Sequence, residues 1–335
     1  MHITAGLGSI DEYIPYIKAG AEELFCGYVP FSWQEKYGNL FPMNRREVIY
    51  YNVQIGSESE MKILRKMADR YEVPVTITLN ALSYLPEQYP LLLSYMQACR
   101  RLGFDRFIIA DHALLVYLQQ QDVTGEFHIH VSGELGEMNT EVIEACRRLG
   151  AERVIYHRKV TICAMKQMQE KHPTLEYEAF LMNEMCHFHG GFCNSLHCDE
   201  LSHMCLVPYR LGKAGRKDSN DFGCESGNGG GNVPGDLGRE EREDDSTVFC
   251  DDAENDIPGF SGCGLCALPK LQAAGVKWLK VVSRGGRTED TIRDIRAARQ
   301  AIDLLEQYPE EKAYIEQMKK QIFPNGCGRN CYYRQ

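Results

Sequence analysis

Residues 183–205 read NEMCHFHGGFCNSLHCDELSHMC, with four cysteines and four histidines in one short stretch. The thiols follow the pattern Cys186-x6-Cys193-x4-Cys198-x6-Cys205. Thiolate sulfur is a ligand for zinc and for iron–sulfur clusters. The chain's one Cys-x2-Cys is Cys263 and Cys266, in GCGLCALP. A cubane [4Fe-4S] cluster takes four thiolates and accepts them from separated segments. Zinc with mixed ligands stays open, because His187, His189, His197 and His203 are at hand. A second pair, Cys327-x3-Cys331, sits among Gly, Asn and Arg near the end of the sequence, either as further ligands or as a tail folded back.

Other polar residues fall where strands should end. The segments 3–7, 22–27, 73–80, 105–111, 126–132, 152–158, 175–183 and 276–284 read as eight strands, separated mostly by amphipathic helices. Ser9 with Glu12, and Ser57 with Glu60, are spaced as capping boxes that open helices. Strict βα alternation over eight strands predicts an α/β fold, a parallel (β/α)8 TIM-type barrel, whose active site lies at the C-terminal ends of the strands. Asn80 ends strand three, Asp111 strand four, His130 and Ser132 strand five, Arg158 strand six and Asn183 strand seven. Lys280 and Arg284 come from strand eight, and Arg210 follows strand seven. A period of two puts His128, His130 and Ser132 on one face of strand five. Glu178 lies inside an apolar strand, where a carboxylate is costly unless paired, so an arginine from strand six or eight is expected beside it. His130, Glu178 and Arg158 are the catalytic candidates, the first two for proton transfer. Asn80, Asp111, Ser132, Asn183, Arg210, Lys280 and Arg284 are the candidates for substrate binding.

The chain has 335 residues, of which 44% are hydrophobic, enough for a sizeable core. Residues 1–212 and 261–323 are expected to form the barrel, and 324–335 a tail. Between them, 213–260 is rich in Gly, Asp, Glu and Asn, and reads as an acidic insertion, either a lid over the barrel mouth or a solvated loop. A formal net charge of −10 argues against a broad nucleic-acid surface and so disfavours RNA as a partner. No run approaches the length of a membrane span, and the opening MHITAGLGSI has no leader pattern, so a cytoplasmic chain is expected. Fourteen cysteines in such a chain point to metal or redox use rather than disulfides.

AGLGSIDEYIPYIKAGAEELFCG (5–27), TITLN (76–80), IHVSGELGEMN (129–139), ERVIYHR (152–158), EYEAFLMNEMCHFHGGFC (176–193) and GLCALPKLQAAGVKWLKVVSR (264–284) form a series. Together they resemble the motifs of the collagenase-like peptidase family. That family also holds the oxygen-independent hydroxylases of ubiquinone synthesis and of tRNA and ribosomal RNA modification. The resemblance implies a [4Fe-4S] cluster on Cys186, Cys193, Cys205 and Cys266, leaving Cys198 and Cys263 as extras. It also implies prephenate as oxygen donor, a dicarboxylate for which Arg158, Lys280, Arg284 and Arg210 are suitable partners. Four departures stand out: Gly133-Glu134 for a family Thr-Gln, Arg158-Lys159 for Arg-Glu, Asn183-Glu184 for His-Gly, and KVVSR for Lys-Ile-Glu-Gly-Arg. No G-x-S-x-G or H-E-x-x-H motif is present. Hydroxylation or related group transfer on a small molecule or modified biopolymer is therefore expected ahead of peptide cleavage. A non-catalytic, cluster-carrying subunit that works with a second family member is the remaining alternative.

Overall fold

Each of the eight apolar runs pairs with its neighbours in sequence. The computed structural model describes residues 1–38, 41–45, 53–136, 138–186, 191 and 257–333. Its strands are β1 (His2–Leu7), β2 (Glu23–Cys26), β3 (Val75–Leu79), β4 (Arg106–Ile109), β5 (His128–Val131), β6 (Ala151–Ile155), β7 (Glu176–Met182) and β8 (Trp278–Val281). All are parallel, and β8 closes onto β1 with His2 opposite Trp278 and Ala5 opposite Val281. The fold is a closed (β/α)8 barrel.

Helices α1 (Tyr13–Ala19), α2 (Phe31–Tyr37), α3 (Glu58–Tyr71), α4 (Tyr89–Arg101) and α5 (His112–Gln120) follow the first four strands. Next come α6 (Thr140–Arg148), α7 (Ile162–Lys171), α8 (Leu268–Ala273), α9 (Thr288–Gln307) and α10 (Glu311–Ile322). Both expected capping signals are formed. Ser9 accepts from Asp11 N while Glu12 reaches back to Ser9 N at 3.3 Å, and Ser57 accepts from Glu60 N at 3.2 Å. Each such cap is worth about 1 kcal/mol. Helix α9 buries Ile295, Ile302 and Leu305 against the barrel, as its period of 3.6 predicts, with Ile292 partly covered.

Alternation along the strands separates two cores. Outward residues such as Ile3, Leu24, Ile77, Phe107, Ile129, Val154, Leu181 and Leu279 pack under the helices in the main core. The opposite face fills the barrel. Phe25, Ile108, Ile155, Phe180 and Val282 form a separate apolar cluster towards the C-terminal ends of the strands. Below it lie Thr4, Glu23, Thr76, His130, Arg153, Glu178 and Lys280, all buried. Barrel interiors are usually packed with branched apolar side chains, so a charged layer here is a departure.

Several expectations about strand ends shift. Strand β6 stops at Ile155, so Arg158 lies in the following loop, as do Asn183 after β7 and Arg284 after β8. The β5–β6 register slips between Ile129 and His130. His128 does not share the buried environment of His130. It is only partly buried at the start of β5 and pairs with Glu152 at 2.7 Å. Most of the acidic segment 213–260 lies outside the described residues. No helix of the described residues is long and apolar enough to cross a membrane.

Candidate functional site

The charged layer is knit across strands that are distant in sequence. Arg153 from β6 donates to both carboxylate oxygens of Glu23 on β2, at 2.7 and 3.0 Å, and to Glu178 on β7 at 3.3 Å. Lys280 from β8 donates to Glu178 Oε1 at 2.8 Å. Two carboxylates thus face two cations with nearly every polar atom used, which is the condition under which buried charge is tolerable. The Arg153 guanidinium also stacks 3.9 Å over Trp278, and Lys280 Nζ lies 3.7 Å over the Phe25 ring. Burial pulls the Lys280 ammonium below its ordinary range, against the opposing pull of Glu178.

His130 completes this layer without joining its bonds. Its Nδ1 is 3.9 Å from Glu23 Oε1, too far for a hydrogen bond, and is a buried atom without a partner. Burial, followed by the nearby Arg153 charge, drives its pKa well below the usual histidine range, so the ring is neutral. Potential ligand atoms of Glu23, His130 and Glu178 lie within 4.8 Å of one another. Arg153 and Lys280 already neutralise that carboxylate pair, so the trio is read as an internal charge network.

Above the apolar cluster opens the barrel mouth. Its cavity, of about 60 Å³, is lined by Arg45, Arg158, Lys280 and Arg284 around the floor of Phe25, Ile108, Ile155, Phe180 and Val282. Since one water occupies roughly 10–15 Å³ on this measure, the space suits a carboxylate-sized group with the rest of a ligand projecting outward. Glu134 and Glu184 also line it. Arg158 donates to Glu134 Oε1 at 2.9 Å and lies 3.8 Å over the Phe180 ring. Arg284 donates to Asn44 Oδ1 and Thr78 Oγ1, both at 3.3 Å.

The departures from the family pattern fit together here. A Cβ at Gly133 would stand 3.0 Å from the Tyr156 carbonyl oxygen and 3.2 Å from that of Ile155, so a side chain there would need the end of β6 to give by a few tenths of an ångström. Glu134, beside it, is the partner of Arg158. At the end of β7, Asn183 and Glu184 both adopt left-handed backbone, with φ of 67° and 53°. Glycine at the second of these positions would relieve that strain.

The expected site residues divide. Asn80, Ser132, Arg158, Lys280 and Arg284 line the mouth. His130 and Glu178, expected as proton-transfer groups, are not among its lining residues. They stand one layer below, because the inward residue next toward the C-terminal end of the strand is Ser132 on β5 and Phe180 on β7. The cation expected beside Glu178 from strand six is Arg153, not Arg158, and strand eight contributes a lysine. Asp111 does not reach the cavity. It caps α5 through Ala113 N at 2.8 Å and accepts from Tyr84 N and Tyr89 OH at 3.0 and 3.1 Å. Asn183 Nδ2 instead binds Asp294 at 2.6 Å. Arg210 lies outside the described residues. Glu23, Arg153 and Arg45 were not singled out from the sequence. The signal for the first two was available, since each is a charge within a strand that is otherwise largely apolar.

The thiols also divide. Cys193, Cys198 and Cys205 lie outside the described residues. Met182 pairs antiparallel with Cys263, and Met185 N bonds to Ser261 O at 2.9 Å. Cys186 and Cys266 therefore leave this pairing in opposite directions. Cys186 lies beside Tyr332, whereas Cys266 lines a second cavity with Cys263, Cys327 and Cys331.

The pattern of peptidase family U32 matches residues 8–335. No curated protein matches the chain. Among solved structures, the U32 peptidase Mk0906 is 14% identical, with a TM-score of 0.41 over 54% of this chain and 69% of that one. Thiamine phosphate pyrophosphorylase from Pyrococcus furiosus is 9% identical, with a TM-score of 0.42 over 90% of this chain and 95% of that one. With a match running over nearly its whole length, the chain belongs to peptidase family U32.

Proposed function

We propose that this U32 member is an iron–sulfur enzyme that performs oxygen-independent hydroxylation, or a related group transfer, on an anionic small molecule held at the barrel mouth. The observation that carries this reading is the cavity lining, where four cations face two carboxylates over an apolar floor. Arg158 and Arg284 offer planar forks suited to carboxylate oxygens, and the aromatic floor suits a ring or an unsaturated carbon skeleton. Prephenate, with two carboxylates, has that chemistry. One carboxylate fits the cavity and the other would meet the rim.

A [4Fe-4S] cluster would supply one-electron chemistry beside the mouth. Cys186, Cys193 and Cys205 follow β7 and would hold it. The resemblance makes Cys266 the fourth thiolate; its backbone leaves the Met182–Cys263 pairing in the direction opposite to that of Cys186, and we take Cys198, in the same stretch, in its place. Peptide cleavage is disfavoured by the lining hydroxyls. Thr78 Oγ1 donates to Cys26 O at 3.1 Å, and Ser132 Oγ accepts from Glu134 N at 3.1 Å. Neither bonds to a general base, which a nucleophilic hydroxyl requires.

The test is calorimetric binding of prephenate to protein purified without oxygen, compared with Arg158→Gln. Loss of one charge-assisted bond of about 1.5–3 kcal/mol should weaken binding by about 10- to 150-fold. Absence of binding by the unaltered protein, or equal binding by the variant, would remove prephenate from the reading.

A further inference from the structure

Cys327 and Cys331 are some sixty residues from Cys263 and Cys266 in sequence, yet all four thiols line one cavity of about 470 Å³. Specific bonds thread the tail into this place. Cys263 N donates to Asn330 O at 2.8 Å and Tyr332 N donates to Cys263 O at 2.9 Å, which sets Cys331 parallel to Cys263. Asn330 Nδ2 donates to Phe260 O at 2.7 Å, and Tyr333 OH to Phe180 O at 2.6 Å. The Cys-x2-Cys is presented by a tight turn at Leu265–Ala267 that leads into α8. The four thiols are free of disulfides.

We propose that Cys263, Cys266, Cys327 and Cys331 form a binding site for an iron–sulfur cluster, separate from the thiols of 186–205. Two short-spaced cysteine pairs brought together from distant segments are the usual donor set for a four-thiolate centre. Their separation bears on which metal they would hold. Tetrahedral zinc, with Zn–S near 2.3 Å, holds its sulfurs about 3.8 Å apart. Among the described residues, Glu23, His130 and Glu178 are the one group of three or more potential ligand atoms within 4.8 Å of one another. The thiols therefore stand wider than zinc would set them. In a cubane each thiolate binds a different iron, so the sulfurs surround a larger body, and the cavity has room for one. Lys270 and Glu311 line the same cavity and pair with each other at 3.3 Å, while Lys319 and Arg329, also in the lining, would offset part of the negative charge of such a cluster.

This inference goes beyond the reading of the mouth and stands without it. The test uses the full chain purified without oxygen, with iron, sulfide and zinc measured per chain and electron paramagnetic resonance recorded after reduction. Cys327→Ser with Cys331→Ser is compared with Cys186→Ser with Cys193→Ser. The tail variant should lose about four irons and four sulfides per chain, and the other variant should keep that share. Cys266→Ser, which leaves the tail's backbone pairing untouched, should show the same loss, so the answer does not depend on the tail folding. Unchanged iron and sulfide in either the tail variant or Cys266→Ser would overturn the proposal. So would stoichiometric zinc at these thiols, or a disulfide joining any two of them. Failure of the mouth reading would show instead as absent prephenate binding, with the tail's iron intact.

Discussion

Lys280 Nζ donates to Glu178 Oε1 at 2.8 Å inside the barrel, and the same lysine lines the cavity at the mouth. One side chain thus joins the buried charge network to the surface where a ligand would bind. Removing either partner leaves a charge buried without its mate. Glu178→Ala should cost about 3–5 kcal/mol in denaturant unfolding. The pair Glu178→Met with Lys280→Met should cost clearly less than the sum of the two single changes, because neither charge is then stranded. Additive losses would show that the pair is not coupled.

His130 makes stability depend on pH. Its folded pKa is pushed well below the ordinary value by burial and then by Arg153. Below the unfolded pKa of about 6.5 the unfolded chain takes up a proton that the folded chain refuses. Its contribution is fully present above about pH 6.5 and is lost as pH falls from there, at up to about 1.4 kcal/mol per pH unit. Unfolding curves from pH 7 to 5 should show this slope, and His130→Gln should flatten it. An equal slope in the variant would place the dependence on other groups.

Glu184 combines a left-handed backbone with a carboxylate at a cation-lined cavity. Glu184→Gly should relieve backbone strain of about 1 kcal/mol, partly offset by glycine's greater unfolded freedom. It should also raise the affinity for dicarboxylates several-fold by removing a like charge. Weaker ligand binding in this variant would mean that Glu184 takes part in recognition.

Gly27 touches the site through space alone. A Cβ there would stand 2.8 Å from an Arg284 terminal nitrogen and 2.9 Å from Asn44 Nδ2. Gly27→Ala must displace the arginine tip, since contacts this short are not tolerated. Dicarboxylate affinity should fall several-fold by calorimetry while far-ultraviolet circular dichroism stays unchanged. Unaltered affinity would show that the position of Arg284 is not limiting.

Asp111→Ala separates a structural role from a binding one. The carboxylate caps α5 and receives Tyr84 N and Tyr89 OH. Its loss should lower stability by about 1–2 kcal/mol and leave ligand affinity unchanged. A fall in affinity with stability intact would restore Asp111 to the site.

The sequence by itself determined the barrel. Eight apolar runs, each separated from the next by amphipathic or capped segments, have one economical way to bury both faces of every strand. Local chemistry such as Ser9 with Glu12 was equally legible, because it depends on neighbours three residues apart. Glu178 announced that it needed a cation, since a buried carboxylate without one is prohibitively costly. Which cation it received was a matter of tertiary structure. Arg153 reaches it because the β6–β7 register sets Arg153 among the inward residues at the level of Glu178, whereas Arg158 lies past the end of β6, at the mouth. The depth of His130 and Glu178 below an apolar layer was hidden for a similar reason. Alternation reveals which face a residue takes, whereas its height in the barrel depends on the stagger of eight strands at once. The convergence of Cys327 and Cys331 on Cys263 and Cys266 was least visible of all. No local pattern encodes it, and it rests on backbone bonds between segments some sixty residues apart.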